Sequence, residues 1–240
     1  MIENKIALVT GGNKGIGFEI CRQLLGNRVT LILTSRDEEK GKKAVERLKS
    51  EKGQLFYQKL DLGDYNTFES VRGFIEARFG KLDLLINNAG INLENSSDSN
   101  KEISALDPNY SNILQTLEVN TLGPMRLTNE LIPLLRKSKD ARIINVSSSM
   151  GQLSTMDKGS IGYRLSKAGL NVMTKVFSKE LEGTSIKINA VSPGWVQTDM
   201  GGKQARLKVE DAVDTIIWLA TKSSLTFSGK FLKDRMEIEW

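Results

Sequence analysis

Residues 6–17 read Ile6-Ala7-Leu8-Val9-Thr10-Gly11-Gly12-Asn13-Lys14-Gly15-Ile16-Gly17, which is an apolar run followed by a glycine-rich turn. A helix-like stretch from Phe18 to Leu25 comes next, so the local order is strand, turn and helix. Glycine lets backbone N–H groups approach an anion closely, and a helix N-terminus adds partial positive charge. The turn therefore predicts a site for a phosphate or pyrophosphate group.

The glycine spacing leaves an alternative open. Gly11, Gly15 and Gly17 form G-x-x-x-G-x-G, whereas the commonest dinucleotide fingerprint is G-x-G-x-x-G. By itself this pattern also fits a strand-to-helix turn that binds nothing. The interpretation therefore depends on the rest of the chain.

Short apolar runs alternate with longer stretches of helical periodicity. The predicted strands are Ile6–Val9, Val29–Leu33, Leu55–Tyr57, Leu82–Ile86, Arg142–Val146 and Ile186–Val191. The helices predicted after the first are Glu38–Ser50, Tyr65–Phe79, Ser111–Arg136, Gly162–Leu181 and Val209–Thr221, and residues 92–109 are predicted to form a surface loop. This order predicts an α/β fold, a Rossmann-type doubly wound parallel sheet in three layers that binds its ligand at the C-terminal ends of the strands.

Size and composition favour one domain over residues 1–240, because 240 residues with 39% hydrophobic side chains can bury one substantial core. No apolar run approaches the ~18 residues of a membrane span, and the chain starts directly into a short strand rather than a signal sequence. We therefore expect a cytoplasmic protein that has no membrane partner.

The residue inventory excludes several chemistries. The chain has no histidine, which rules out a Ser-His-Asp triad and the usual zinc ligand, so no metal site is expected. Its one cysteine, Cys21, is expected to be a small buried apolar residue. The net charge of +5 is interspersed along the chain without basic blocks, which argues against a nucleic-acid partner and suits a small anionic ligand.

The end of the second strand indicates which dinucleotide binds. Thr34, Ser35 and Arg36 fill the positions where an acidic residue would bind a ribose 2′-hydroxyl. Arg36 can engage a 2′-phosphate bidentately, and Lys14 can add a second positive charge. Each cation taken alone also fits a solvated surface position, and Asp37 weakens the pattern. Their joint placement predicts NADP(H) rather than NAD(H).

A phenol and an amine are predicted to lie one helical turn apart, at Tyr163 and Lys167. Ser148 ends the fifth predicted strand fifteen residues before the tyrosine. Free tyrosine titrates near pH ~10, so a proton donor that works near neutrality needs a pKa about 2–3 units lower, which Lys167 must supply in a partly dried site. The alternative is that Tyr163 and Lys167 form an exposed pair that has no function in catalysis.

These motifs together resemble the short-chain dehydrogenase/reductase family, and within it the carbonyl reductases, over nearly the whole chain. The motifs are the glycine turn 10–17, Thr34-Ser35-Arg36, Asn87-Asn88-Ala89-Gly90, Asn120, Ser148, Tyr163-x-x-x-Lys167, the segment 193–200 and Trp240. The resemblance implies a single dinucleotide-binding catalytic domain, with a substrate loop around 195–210. It also implies NADPH-dependent reduction of a carbonyl to an alcohol.

The resemblance implies four catalytic roles: Tyr163 donates the proton, Lys167 lowers its pKa and holds the nicotinamide ribose, Ser148 orients the substrate oxygen, and Asn120 anchors a water relay. Ser147 and Ser149 are rival serines, and Ser148 is chosen because the family pattern places the catalytic hydroxyl second. Gly123-Pro124 should disturb the helix after Asn120 and free a backbone carbonyl for water.

The resemblance also implies a set of cofactor-binding residues. They are Gly11, Asn13, Lys14, Gly15, Ile16, Gly17, Arg36, Asp61, Leu62, Asn87, Ala89, Gly90, Tyr163, Lys167, Pro193, Gly194, Val196 and Thr198. The turn Asn87–Gly90 would support the rim of the cofactor site, Asp61 would contact the adenine, and Val196 with Thr198 would contact the carboxamide. Alone, Asn87-Asn88 also fits simple turn chemistry and Asp61 a helix cap.

Substrate and assembly are less constrained. Leu153, Met156, Trp195 and Met200 are apolar, which favours a hydrophobic aldehyde, ketone or quinone, although each also fits a core position. Some carbonyl reductases carry a long insertion between the serine and the tyrosine that shields a helix surface used in dimerisation. This chain lacks it, so a homodimer or homotetramer stays open. The rival hypotheses are a non-catalytic NADP(H) sensor and, ranked lowest, a nucleic-acid binder.

Overall fold

The computed structural model describes residues 5–49, 51–94 and 104–240. Its strands are β1 (Ile6–Val9), β2 (Thr30–Ser35), β3 (Leu55–Lys59), β4 (Leu84–Asn87), β5 (Ala141–Val146), β6 (Ile186–Val191), β7 (Phe231–Lys233) and β8 (Met236–Glu237). They form one sheet in the order β3-β2-β1-β4-β5-β6-β7-β8. Every neighbouring pair is parallel except β7 with β8, which is antiparallel.

Helices cover both faces of the sheet. They are α1 (Gly15–Gly26), α2 (Glu38–Leu48), α3 (Asn66–Phe79), α4 (Tyr110–Leu117), α5 (Gly123–Leu135), α6 (Ile161–Glu180), α7 (Val209–Ala212) and α8 (Asp214–Thr221). A π-helical segment, Glu118–Leu122, joins α4 to α5, and two 3₁₀ turns, Ser149–Gly151 and Leu153–Thr155, follow β5.

The core divides into two layers because side chains alternate across each strand. Ala7 and Val9 face a cluster formed with α1, α2 and α8. Leu8 and Ile32 face a second cluster formed with α3 and α5. Both faces are covered, as a parallel sheet requires. The doubly wound, three-layer, single-domain α/β fold is therefore confirmed.

The six predicted strands are all present. Two of them have the predicted bounds and the other four differ by one or two residues at an end, whereas β7 and β8 were missed. The predicted helix 111–136 is divided by the π-helical segment, and the predicted helix 209–221 is divided at Val213. Ser50 and residues 95–103 of the predicted surface loop lie outside the described residues. The flanks 92–94 and 104–109 contain no helix or strand.

Cys21 lies on α1 and is completely buried, as predicted, and burial raises the pKa of its thiol. Within the described part of the chain, no helix is long and apolar enough to cross a membrane.

The topology gathers the chemistry-bearing segments at one edge. β1 pairs with β2 on one side and with β4 on the other, so the chain reverses its direction of winding at β1. In open α/β sheets a ligand binds at such a switch point, beyond the carboxyl ends of the strands. The segments that follow β1, β2, β4, β5 and β6 all emerge at this edge.

Candidate active site

The glycine turn joins β1 to α1 with two residues in the left-handed region, Gly11 at φ 65° and Gly15 at φ 54°. Lys14 is the N-cap residue of α1, and its side chain makes no capping hydrogen bond. The first N–H groups of a helix have no partner within the helix, so this end offers donors and positive potential to an anion. Gly15, Ile16 and Gly17 form that first turn.

Hydrogen bonds tie the glycine turn to the segment after β4. The Thr10 hydroxyl accepts from the backbone N–H groups of Asn88 and Ala89, at 3.0 Å each. The Asn88 amide donates to the carbonyls of Thr10 and Gly11, at 2.9 and 3.3 Å. The sequence gives no sign of this contact between Thr10 and Asn88, because the two residues are 78 positions apart.

The Asn87 side chain points into the sheet. Its Nδ2 donates to Asn145 Oδ1 at 2.8 Å and to Thr128 Oγ1 at 3.2 Å, and Asn145 in turn donates to Thr174. Asn87 therefore supports the predicted cofactor rim from below, through a buried polar network. Simple turn chemistry does not describe it.

Asp61 and Leu62 follow β3. The Asp61 carboxylate accepts the N–H of Gly63 at 3.0 Å, so it closes a local turn and does not cap α3. Leu62 is buried in the core against the α3 side of the sheet. Leu62 therefore has no exposed side chain to offer a ligand.

The two predicted phosphate-binding cations are in different states. Arg36 is exposed directly after β2, and no ion pair joins it to any described side chain. Lys14 forms an ion pair with Asp199 at 2.6 Å, which holds the pKa of that carboxyl below its usual range. Both partners are mostly exposed, and such pairs are weak, so a phosphate can compete with Asp199 for Lys14.

The segment after β6 lies beside the glycine turn. Pro193 precedes Gly194, whose φ of 81° turns the chain, and Val196 is buried and forms a bridge with Leu207. A Cβ on Gly15 would lie 3.3 Å from Thr198 Cγ2, which shows how close the two segments are. The loop 195–208 thus lies beside the start of α1.

The structure separates the three consecutive serines after β5. Ser147 is buried, and its hydroxyl donates to Asn171 Oδ1 at 2.7 Å. Ser149 is exposed at the start of a 3₁₀ turn. The Ser148 hydroxyl accepts the N–H of Met150 at 3.1 Å, and it lies near enough to the Tyr163 phenol to act on the pKa of that phenol. Ser148 is therefore the serine placed to act with Tyr163.

Tyr163 and Lys167 lie together on α6. The Lys167 Nζ is 5.6 Å from the centroid of the Tyr163 ring and donates to the Val146 carbonyl at 2.8 Å. Burial lowers the pKa of Lys167 to about 8, so the amine stays mainly protonated at neutral pH. Burial raises the pKa of Tyr163 to about 12, and the nearby Ser148 hydroxyl acts in the opposite direction.

We predicted that Lys167 lowers the pKa of Tyr163. The side chains of this protein raise that pKa instead, so the prediction is wrong. Desolvation of the phenolate outweighs the effects of its neighbours, because the amine is hydrogen-bonded to a carbonyl rather than to the phenol. At neutral pH the phenol keeps its proton.

Asn120 lies in the π-helical segment and is almost completely buried. Its side chain accepts the N–H of Ile91 and donates to the carbonyl of Ile91, both at 2.8 Å, and also donates to Ser166 at 3.0 Å. The predicted helix disturbance is present. Pro124 has no N–H, so it cannot donate to the Asn120 carbonyl four residues earlier. The two hydrogen bonds between the Asn120 side-chain amide and the backbone of Ile91 were not predicted.

Apolar side chains surround this edge. Leu153, Met156, Trp195 and Met200 are 71%, 41%, 52% and 40% exposed, so none is a core residue. The Trp195 indole donates to the carbonyl of Gly201 at 2.7 Å, and the N–H of Leu153 donates to the carbonyl of Trp240 at 3.1 Å. No cluster of three or more candidate metal ligands occurs within the described residues.

A family model described as short chain dehydrogenase matches residues 5–208 of this chain. A (+)-neomenthol dehydrogenase of Arabidopsis thaliana is 34% identical, over 94% of this chain and 96% of that protein. Carbonyl reductase (NADPH) 1 of Bos taurus is 29% identical, over 99% of each chain. The alignment with the plant protein runs over 288 positions, more than the 240 residues present here, so that relative contains residues which this chain lacks.

The NADPH-bound carbonyl reductase from chicken fatty liver has a similar structure, with a TM-score of 0.87 at 28% sequence identity. The match covers 99% of this chain and all of that chain. The family resemblance predicted from the motifs is therefore confirmed.

Proposed function

The chain belongs to the short-chain dehydrogenase/reductase family, and we propose that it reduces an aldehyde, ketone or quinone to an alcohol with Tyr163 as the proton donor. It is an NADP-dependent oxidoreductase that resembles the carbonyl reductases. The observation that carries the proposal is the group formed by buried Lys167 with half-buried Tyr163 and Ser148, which lies beyond the carboxyl end of β5.

The cofactor is NADP(H), and the residues present fit it. A Cβ on Gly11 would lie 3.0 Å from Ala89, so only glycine leaves this cradle open between the two segments. The first turn of α1 offers N–H donors to the pyrophosphate, and Arg36 with Lys14 offers cations to the 2′-phosphate. We propose that the other predicted contacts come from Asn13, Asp61, the backbone of Leu62, the 87–90 turn, Pro193, Gly194, Val196 and Thr198. When bound, the cofactor supplies the hydride.

The proton comes from Tyr163 in this proposal. Because burial holds the pKa of Tyr163 near 12, the phenol carries a proton throughout the neutral range and can donate it to the carbonyl oxygen. The Ser148 hydroxyl orients that oxygen beside the phenol. The protonated Lys167 amine, whose Nζ lies 5.6 Å from the centroid of the Tyr163 ring, offsets part of the cost of burying the phenolate left behind.

The proton that Tyr163 donates is replaced by way of the π-helical segment between α4 and α5. Pro124 leaves the Asn120 backbone carbonyl without its usual helical donor, so that carbonyl can accept a water. The Asn120 side chain is fully occupied by Ile91 and Ser166, so it orients the carbonyl rather than binding the water itself. We propose a relay from this water through Lys167 to Tyr163.

The substrate is a small hydrophobic carbonyl compound in this proposal. The whole chain acts as one dinucleotide-binding catalytic domain, and the loop 195–210 provides much of the substrate surface. Its support is the exposed apolar set described above, which would lose contact with water when an apolar substrate binds.

Absorbance of reduced nicotinamide tests the proposal. The purified protein is incubated with a panel of hydrophobic aldehydes, ketones and quinones, with NADPH and NADH in parallel. We expect NADPH to be consumed with at least some of the panel, and faster than NADH. Binding of NADPH without consumption by any carbonyl would favour the non-catalytic sensor instead. A preference for NADH would contradict the proposed role of Arg36, but it would not affect the assignment of the fold.

Exposed apolar residues on neighbouring helices, Tyr110 and Leu114 on α4 with Leu165 and Val172 on α6, offer a surface for a homodimer or homotetramer. We propose self-association on that basis. The cytoplasmic location stays a prediction, as does the lack of a nucleic-acid partner.

A further inference from the structure

The helix that carries the Tyr163 and Lys167 pair has no cap of its own. Its N-cap residue, Ser160, has a φ of 46° and makes no side-chain capping hydrogen bond. The first N–H groups of a helix need partners from outside the helix, and a serine at this position normally supplies one. Tyr163 is the third residue of this first turn, so its own N–H is one of these groups.

Glu94 supplies the missing partner from a distant part of the chain. Its Oε2 accepts the N–H of Tyr163 at 2.9 Å, across 69 residues of sequence. The Glu94 residue is only 5% exposed. A carboxylate also interacts favourably with the positive end of the helix dipole. Gly162 makes room for it, because a Cβ there would lie 3.0 Å from Oε2 and from Ile113.

The second oxygen of Glu94 points to a purpose other than stability. Oε1 is buried and has no hydrogen-bond partner among the described residues. Leaving a buried acceptor unpaired is unfavourable, which offsets part of the stability that the carboxylate gives the helix end. The contact that Glu94 does make is with the backbone of Tyr163 itself.

The segment 91–94 links Tyr163 to the predicted cofactor site. It begins directly after Gly90, and Asn120 grips both backbone groups of Ile91. Asn120 also binds Ser166, whose hydroxyl donates to the carbonyl of Tyr163 at 2.7 Å. Glu94 thus accepts the N–H of Tyr163, and Ser166 donates to its carbonyl. Glu94 belongs to the segment 91–94, and Ser166 is connected to that segment through Asn120.

We propose that Glu94 is a positioning residue that caps α6 at Tyr163 and fixes the phenol relative to the cofactor turn. The inference rests on the proposed role of Tyr163 as proton donor. Glu94 contacts neither the reacting atoms nor the predicted phosphate site, so it acts through the backbone of Tyr163 alone.

Two substitutions test it. Glu94→Leu removes the acceptor, and we expect kcat to fall about 10- to 100-fold, because small misplacements of a catalytic group have effects of this size. KM for the carbonyl, and the NADPH dissociation constant measured by fluorescence, should change less than about 3-fold, since the predicted binding residues are intact. Glu94→Gln keeps a side-chain oxygen for the Tyr163 N–H and should restore kcat to within about 3-fold of wild type.

A matched control separates positioning from stability. Asn109 caps α4 in the same way, with its side chain accepting the N–H of Asn112 at 3.1 Å. Asn109→Ala should lower the melting temperature without lowering kcat. If Glu94→Leu behaves like this control, or if Glu94→Gln loses as much kcat as Glu94→Leu, the inference is overturned. A wild-type protein that consumes no NADPH would instead count against the proposed function.

Discussion

Tyr163→Phe should lower kcat for carbonyl reduction roughly 10²- to 10⁴-fold, the usual contribution of a general acid. The substitution removes only the phenolic oxygen and keeps the ring, which lies 5.6 Å from the Lys167 amine. The glycine turn and Arg36 are untouched, so NADPH should bind almost as tightly as to wild type. Steady-state kinetics and a fluorescence titration with NADPH measure the two quantities separately.

Tyr110→Phe is the matched control, because Tyr110 is 72% exposed at the start of α4 and has no proposed role in catalysis. It should leave kcat unchanged. Turnover retained in Tyr163→Phe would show that another group donates the proton.

Gly17→Ala should weaken NADPH binding roughly 10- to 100-fold, which corresponds to the 1–3 kcal/mol typical of forced overpacking. A Cβ at this position would overlap the carbonyl oxygen of Gly11 and the side-chain amide of Asn88. Gly11 is backbone and Asn88 is held by Thr10, so neither can give way without opening the turn. The N–H groups of the first turn of α1 would then move off the pyrophosphate position.

Gly73→Ala provides the control for this substitution. Gly73 lies within α3, and a Cβ there would meet no atom within 4 Å. Alanine in an exposed helix interior stabilises by about 0.5–1 kcal/mol relative to glycine, so Gly73→Ala should raise the melting temperature and leave NADPH affinity unchanged. Equal NADPH affinity in Gly17→Ala and wild type would contradict the assignment of the turn.

The strands that could be predicted are short segments rich in apolar residues. β1 is a continuous apolar run, and β5 has the apolar residues Ile143, Ile144 and Val146, so the residue pattern itself marks both strands. β7 has three residues and β8 has two, which is too short for a period to be recognised. Their pairing depends on β6 and β7 as templates, which the local sequence does not contain.

Backbone chemistry was predictable and distant contacts were not. Pro124 lacks an N–H, so a helix disturbance near Asn120 follows from the sequence alone. Its form, a π-helical segment that directs the Asn120 amide onto Ile91, depends on the packing of α6 and the segment after β4. The same holds for Glu94, which lies far from Tyr163 in the sequence.

Burial of a charged side chain could not be predicted from the sequence, as Arg142 shows. It begins the predicted fifth strand, and its position gives no sign that its side chain is buried. In the structure its guanidinium donates to the carbonyls of Leu219 and Lys222 near the end of α8 and pairs with Asp140. These partners compensate for burial of the charge, and two of them lie more than 75 residues away.

Transfer of label from NADPH to product tests the central claim most directly. The wild-type protein is supplied with a hydrophobic aldehyde or ketone that it consumes and with NADPH carrying deuterium at the transferable C4 position, and the alcohol is analysed by mass spectrometry. We predict that the alcohol carries deuterium at the former carbonyl carbon and forms in an amount equal to the NADPH oxidised. Alcohol without deuterium, or NADPH oxidised without alcohol, would contradict the assignment of this chain as a carbonyl reductase.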